Sequence, residues 1–172
     1  MPKRHWGSVG VDLSGPYPPS YKNGKMYDMI VVFIDRLTSM VHVMPTTQDV
    51  TSRELAEIMY DEIFRLHGLP DNLVSDRDVK FTSDIWRELT DICGIKLNMS
   101  TAFHPQSDGA TERANRSINS IMRILLESED DQSNWINKLS LIEFNMNCTV
   151  SSSTVLHHLK QITDTFQSQC LG

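Results

Sequence analysis

The chain has 172 residues, of which 40% are hydrophobic, so it is long enough to bury a sizeable core in one domain. It contains no run of about 18 apolar residues, which excludes a membrane partner, and the basic start MPKRHWG lacks the apolar stretch of a signal peptide. The net charge of −6 disfavours a nucleic-acid partner unless metal ions and a local basic strip make the contacts. Cys93, Cys148 and Cys170 have neither disulfide nor zinc-ligand spacing, which favours a reducing intracellular compartment.

The first part of the chain predicts three strands joined by short links. They are Trp6–Leu13, Met29–Ile34 and Met40–Met44. The first strand alternates, so that Asp12 points away from its apolar face near the end of the strand. Asn23-Gly24 marks a turn, and Pro45 is expected to stop the third strand. Three consecutive strands of this kind predict an antiparallel meander.

Helices alternate with two further strands in the rest of the chain. We predict helices at Thr51–Leu66, Ser83–Cys93, the second half of Thr101–Leu126, and Trp135–Asn147, and strands at Asn72–Ser75 and Ile95–Met99. Thr51 and Glu54 form the pattern of a capping box at the start of the first helix, and Leu66 is expected on its inward stripe. The first half of Thr101–Leu126 is expected to be a loop, because Pro105 and Gly109 interrupt its periodicity.

This order of elements predicts an α/β fold with one mixed five-stranded sheet, three antiparallel strands followed by two parallel ones, flanked by helices. The first and fourth strands should then be parallel neighbours. Because ligand sites gather at the carboxyl ends of such strands, Asp12 and Asp76 should meet there. Glu112, in the first turn of a helix, could approach between them.

Three converging carboxylates would suit hard divalent cations such as Mg²⁺. Two ions about 3.5–4 Å apart can stabilise the attacking and leaving oxygens of a phosphoryl transfer, with Asp12 bridging them. Asn115, Arg116 and Asn119 follow Glu112 at helical spacing and share its face. Any one of these acids could instead be a surface charge or a cap, and the helix face could be an ordinary solvated one.

Four segments carry a resemblance to a known family: VDLSGP (11–16), VVFIDRLTSMVHVMP (31–45), FRLHGLPDNLVSDRDVKFTS (64–83) and STAFHPQSDGATERANRSI (100–118). They resemble the integrase core of gypsy-type long-terminal-repeat retrotransposons, which is related to retroviral integrases. The family's acid triad falls on Asp12, Asp76 and Glu112, and 35 residues separate the last two, as is typical of the family.

The resemblance implies an RNase H-like fold and a two-metal DDE-type enzyme with two Mg²⁺ or Mn²⁺ ions. Its implied reactions are trimming of the 3′ ends of element DNA and joining of those ends to target DNA. In both, a hydroxyl attacks a phosphodiester, first from water and then from the 3′ end. The implied partners are double-stranded DNA (element ends and target) and further copies of the chain in a homo-oligomer, and the implied location is the nucleus.

Side chains near the triad are predicted to bind DNA. They are Asn115, Arg116, Asn119, His104, Gln106 and Lys80. Asn115 and Arg116 match family positions that contact element-end DNA, and the loop from His104 to Gly109 matches the mobile active-site loop. His104, beside a proline, is expected to stabilise the loop rather than bind metal, and Lys80 could face DNA or solvent.

The resemblance ends near Ser153, so we expect a catalytic core at residues 1–153 and a divergent, truncated or frame-altered tail at 154–172. The zinc domain and basic domain that flank this core in the family are also expected to be missing. The alternative is a catalytically inactive, domesticated or decaying integrase remnant that acts as a nucleic-acid or protein binding module. A general ribonuclease H or junction nuclease is disfavoured by the HPQSDGATER stretch at 104–113.

Overall fold

The computed structural model describes residues 4–75, 79–94, 116, 119–120, 122–123, 126 and 132–149, with backbone alone at 79–82 and 149. The strands are β1 Ser8–Ser14, β2 Ser20–Lys22, β3 Lys25–Tyr27, β4 Met29–Asp35, β5 Val41–Thr46 and β6 Asn72–Val74. The helices are α1 Ser52–Met59, a π-helical turn Tyr60–Phe64, α2 Arg65–His67, α3 Val79–Ile92, a 3₁₀ helix Gln132–Lys138 and α4 Leu139–Thr149. Residues 116, 119, 120, 122, 123 and 126 are also helical, as predicted for that segment.

A mixed four-stranded sheet with the order β5-β4-β1-β6 forms the centre of the described structure. β4 is antiparallel to both β1 and β5, which confirms the predicted meander. β6 runs parallel to β1, which confirms that the first strand and the strand after the long helix are neighbours. The predicted fifth strand, Ile95–Met99, lies outside the described residues.

Alternation along β1 and β4 divides the core into two layers. One face of the sheet packs against α1 and α3; its buried residues include Val9, Val11, Val31, Phe33, Leu55, Met59, Ile85 and Leu89. The other face packs against the helical segment around residue 122 and the 3₁₀ and α4 helices; its buried residues include Ile30, Val32, Ile34, Met122, Trp135, Leu139, Ile142 and Met146. Asp12 pairs with Val32 and Ser14 with Ile30, so the side chains of Asp12 and Ser14 share this second face.

Two predictions about the strands need correction. A two-stranded hairpin, β2–β3, lies between β1 and β4 and was not predicted, although Asn23 and Gly24 form its turn with positive φ values of 52° and 75°. Pro45 does not stop the third strand, because β5 continues through it to Thr46. Proline is tolerated there because β5 is an edge strand of the described sheet, where one row of N–H groups has no strand partner.

The capping box at Thr51 is confirmed: its hydroxyl accepts from the Glu54 N–H, and the Glu54 carboxylate accepts from the Thr51 N–H. The prediction that Leu66 faces inward is wrong, since Leu66 is 52% exposed. The π-helical turn Tyr60–Phe64 is the reason, because it needs more residues per turn than an α-helix and rotates the following residues away from the predicted stripe. α3 begins at Val79, four residues before the predicted start.

α4 covers the outer edge of β5 with two polar side chains. Asn147 accepts from the Val41 N–H at 2.8 Å and donates its amide to the Val41 carbonyl at 2.9 Å. Glu143 accepts from the Val43 N–H at 2.9 Å. These contacts replace the strand that would otherwise pair here, which is one way in which proteins protect a sheet edge. Within the part of the chain that the structure describes, no helix is long and apolar enough to cross a membrane.

Candidate active site at the end of β1

Asp12 lies in β1, two residues before the strand ends at Ser14. Asp12 is only 8% exposed, and its Oδ1 accepts from the Leu13 N–H at 2.7 Å. A carboxylate loses hydration when buried, so it is kept at such a position only where hydrogen bonds or cations compensate. The alternative that Asp12 is an ordinary surface charge is therefore excluded by its burial.

The parallel pairing of β1 with β6 sets the register between Asp12 and the chain after β6. Val9 pairs with Leu73, and Gly10 pairs with Val74. Asp12 follows Gly10 by two residues, and Asp76 follows Val74 by two residues along the sequence. Asp76 itself lies outside the described residues.

Most of the other predicted site residues are also outside the description, so their placement remains a prediction. These are Glu112, Asn115, His104 and Gln106. Lys80 is the second residue of α3, described for its backbone alone. Arg116 and Asn119 are helical and exposed. Among the described residues, no group of three or more His, Cys, Asp or Glu side chains could hold a metal ion.

Asn119 contacts two hydroxyl groups at the end of β1. Its Oδ1 lies 2.6 Å from the Ser14 Oγ and 3.0 Å from the Tyr17 hydroxyl oxygen. The two hydroxyl oxygens are themselves 2.5 Å apart. This cluster, Ser14–Tyr17–Asn119, connects the helical segment to the end of the strand that carries Asp12. Sequence reasoning did not find Ser14 or Tyr17, because a contact across 105 residues leaves no local pattern.

The Tyr17 side chain is held from several directions. The backbone N–H of Tyr17 donates to the Asp28 carbonyl at 2.7 Å, and the Tyr17 ring lies 5.6 Å from the Trp135 ring. Trp135 in turn donates its indole N–H to the Pro18 carbonyl at 2.7 Å. Burial raises the pKa of Tyr17, and the hydrogen bond with Ser14 opposes this only in part. The phenol therefore keeps its proton at neutral pH and remains a donor.

A second polar cluster lies at β5, an edge strand of the described sheet. His42 Nδ1 is 3.0 Å from Glu143 Oε1, and His42 Nε2 is 3.0 Å from His67 Nε2. Because a carboxylate can only accept, His42 donates from Nδ1, and one of the two imidazoles donates to the other between their Nε2 atoms. The Trp6 ring stacks on His67 at 4.5 Å. Burial and the neighbouring His42 lower the pKa of His67. This cluster links β5, α2, α4 and the segment before β1, and it was also not predicted from the sequence.

The fold of the chain is that of retroviral integrase catalytic cores. It is similar to the catalytic core domain of BIV integrase, with a TM-score of 0.57 and 19% identity over 86% of this chain and 87% of that one. It also resembles a chain of a simian T-cell lymphotropic virus intasome bound to the PP2A regulatory subunit B56 gamma, with a TM-score of 0.52 and 15% identity over 81% of this chain and 47% of that one.

Sequence comparison identifies relatives among retrotransposons. The chain is 26% identical over 152 residues to the Tf2-3 and Tf2-4 transposon polyproteins of Schizosaccharomyces pombe, a match that covers 88% of this chain. It spans 11% of the length of these curated relatives. No family model matches the chain. The chain is thus homologous to the Tf2 retrotransposon polyproteins, and the predicted resemblance to gypsy-type integrase cores is confirmed.

Proposed function

We propose that this chain is an integrase catalytic core, a polynucleotidyl transferase that trims the 3′ ends of retroelement DNA and joins them to target DNA. The single observation that carries the proposal is Asp12, a buried carboxylate at the end of a strand in an integrase-core fold. We propose Asp12, Asp76 and Glu112 as catalytic residues that bind two Mg²⁺ or Mn²⁺ ions. Homology to a retroelement polyprotein supports the choice of DNA as substrate.

The register of β1 and β6 supports the pairing of Asp12 with Asp76. Each aspartate follows a paired residue, Gly10 or Val74, by the same number of residues. If the parallel register continues, the two positions become neighbours, and adjacent strands are about 4.8 Å apart. Two carboxylates at that spacing would be close enough to share a cation, and the carboxyl ends of parallel strands are where α/β folds bind ligands.

The contact between Ser14 and Asn119 supports the approach of Glu112. Asn119 follows Glu112 by seven residues, which is two helical turns and returns to within about 20° of the same face. The Asn119 side chain is hydrogen-bonded to Ser14, which shares a face of the sheet with Asp12. If the helix extends back to Glu112, the face that carries Glu112 would be directed at the strand that carries Asp12.

The donor set fits a hard divalent cation, since the three proposed ligands all bind through carboxylate oxygens. When bound, the two ions would stabilise charge on the attacking and leaving oxygens of the phosphodiester. The side chains of this chain provide position and charge: Asp12, held by the Leu13 N–H, fixes one oxygen ligand in place. Without cations, three carboxylates would repel a phosphate backbone, so we expect DNA binding at this edge to require metal.

The remaining roles follow from the family resemblance. We propose that Asn115, Arg116, Asn119, Lys80 and the loop residues His104 and Gln106 contact double-stranded DNA at element ends and target. Arg116 and Asn119 are both exposed in the described structure, which supports such contacts. We further propose a homo-oligomer, location in the nucleus, and an RNase H-like sheet completed by a fifth strand at Ile95–Met99.

A nicking assay tests the proposal without knowledge of the element sequence. Purified protein is incubated with supercoiled plasmid in Mn²⁺, and open-circular product is measured for the wild type and for Asp12→Asn, Asp76→Asn and Glu112→Gln. The matched control is Asp61→Asn, which removes an exposed carboxylate in the π-helical turn. We expect the wild type and the control to nick the plasmid at similar rates, and each triad variant to nick it at least 100-fold more slowly. Removing one electrostatic donor from an active site typically lowers the rate by about 10²–10³.

Two outcomes would contradict the proposal. Metal-independent nicking, or equal nicking by Glu112→Gln, would show that the acids are not catalytic. DNA binding without any metal-dependent cleavage would instead favour the inactive remnant. Cleavage of RNA–DNA hybrids or branched DNA in preference to duplex DNA would favour a ribonuclease H or junction nuclease.

A further inference from the structure

We propose that Ser14 and Tyr17 are positioning residues that orient Asn119, so that its carboxamide oxygen faces the end of β1 and its NH₂ group is presented to a phosphate oxygen of bound DNA. The inference rests on the proposed DNA-binding function and adds two residues to which the sequence analysis assigned no role. Asn119 is exposed, whereas Ser14 is 5% exposed, so the cluster joins a buried hydroxyl to a surface amide.

The residues that carry the two hydroxyl groups are held in place by contacts that do not involve Asn119. Ser14 is the last residue of β1 and pairs with Ile30 across the sheet. Tyr17 is held by its hydrogen bond to the Asp28 carbonyl and by its contact with the Trp135 ring. Holding Asn119 against both hydroxyls therefore costs only the freedom of its own side chain, because its partners are already ordered.

The Asn119 amide faces the cluster with its Oδ1, and the protons of the two hydroxyls match this orientation. Three oxygens, Ser14 Oγ, Tyr17 Oη and Asn119 Oδ1, approach one another within 2.5–3.0 Å, and the two hydroxyls provide two protons. One hydroxyl can donate to the other, which leaves the second to donate to Asn119. The carboxamide oxygen therefore accepts from the cluster in either arrangement, and the NH₂ group lies on the far side of the same carboxamide.

A phosphate oxygen is the group that best suits an NH₂ group at this position. Amide donors of Asn commonly contact DNA phosphates and fix the register of a protein on the duplex. Among the contacts of the described residues, none uses the Asn119 Nδ2. A neutral donor also suits this site, which is only two strand residues from the buried carboxylate of Asp12. A phosphate contact here would set the distance between the DNA backbone and the proposed metal ligands.

The orientation itself is tested without DNA or catalysis. The side-chain NH₂ signals of Asn119 are assigned by NMR from their loss in Asn119→Ala. Tyr17→Phe removes one hydroxyl and keeps the ring, and Tyr21→Phe is the matched control because Tyr21 is 68% exposed. We expect Tyr17→Phe and Ser14→Ala to shift and broaden the Asn119 signals, and the control to leave them unchanged. Unchanged signals in both variants would overturn the proposal whatever the protein's activity.

The link to DNA is tested by a double-mutant cycle. Anisotropy of a labelled duplex is measured in Ca²⁺, a hard cation that also takes carboxylate oxygens. We expect Asn119→Ala to weaken binding by about threefold to tenfold, as for the loss of one hydrogen bond, and Tyr17→Phe to weaken it by a similar factor. In the Asn119→Ala background, Tyr17→Phe should then have no effect, because positioning acts only through Asn119.

The outcomes separate this inference from the proposed function. Additive effects of the two substitutions, or wild-type affinity of Tyr17→Phe, would overturn the positioning role even if nicking is normal. Failure of the wild type to nick plasmid, with the expected non-additive binding data, would contradict only the catalytic proposal. Absence of duplex binding by the wild type would overturn both.

Discussion

Replacing Asn147 by alanine removes the side chain that closes the outer edge of β5. Its carboxamide makes two hydrogen bonds to the backbone of Val41, a residue with no exposed surface. The substitution leaves both the N–H and the carbonyl of Val41 without this partner, at a cost of about 1–3 kcal/mol for each buried group. Because Asn147 is half-buried and water can enter in part, we expect the free energy of unfolding to fall by about 2–4 kcal/mol.

Thermal unfolding followed by circular dichroism measures this effect. For a domain of this size a loss of 1 kcal/mol lowers Tm by about 2–4 °C, so we expect a decrease of about 4–16 °C. Ser140→Ala, an exposed position on the same helix, is the control. Glu143→Gln should cost less than Asn147→Ala, because the amide carbonyl can still accept from Val43. If Asn147→Ala matched the control, the reasoning that α4 closes the sheet edge would be refuted.

Three further predictions concern pH, backbone strain and the acid triad. The free energy of unfolding should decline as pH falls below about 6.5. Burial and His42 lower the pKa of His67 in the folded state, so the unfolded state binds a proton more readily. Urea unfolding measured against pH should show a weaker decline for His67→Gln than for the wild type. Gly15→Ala should lower the free energy of unfolding, measured with denaturant, by about 2 kcal/mol. The φ of Gly15 is +134°, and a Cβ there would lie 2.6 Å from Met29 Sδ. Asp76→Asn should abolish Mn²⁺-dependent nicking yet keep or slightly raise Tm, because it relieves carboxylate repulsion; a large drop in Tm would make Asp76 structural.

The elements that could be predicted are those with a strong periodic pattern. The strand at Met29–Ile34 and the helix that begins after Thr51 were assigned correctly, because the burial of their apolar side chains decides both. The β2–β3 hairpin was missed because strands of three residues are too short to show a period. Leu66 was placed on the wrong face because a π-helical turn changes the phase of a helix and has no sequence signature of its own.

The candidate site could be predicted only in part. Asp12 was found at the end of its strand because an acid after an alternating apolar segment is a local signal. The Ser14–Tyr17–Asn119 cluster and the contact of His42 with His67 and Glu143 were missed because each joins residues that are distant in sequence. Serine, tyrosine and histidine occur in many unrelated environments, so only the fold can show which of them are partners.

Binding of Mn²⁺ tests the central claim most directly, because it requires neither a DNA sequence nor turnover. Free Mn²⁺ is measured by electron paramagnetic resonance during titration of the wild type and of Asp12→Asn, Asp76→Asn, Glu112→Gln and the Asp61→Asn control. A shared metal centre predicts that each triad substitution weakens binding while the control binds as the wild type does. Wild-type binding by any one of the three triad variants would contradict the claim that Asp12, Asp76 and Glu112 hold the same ions.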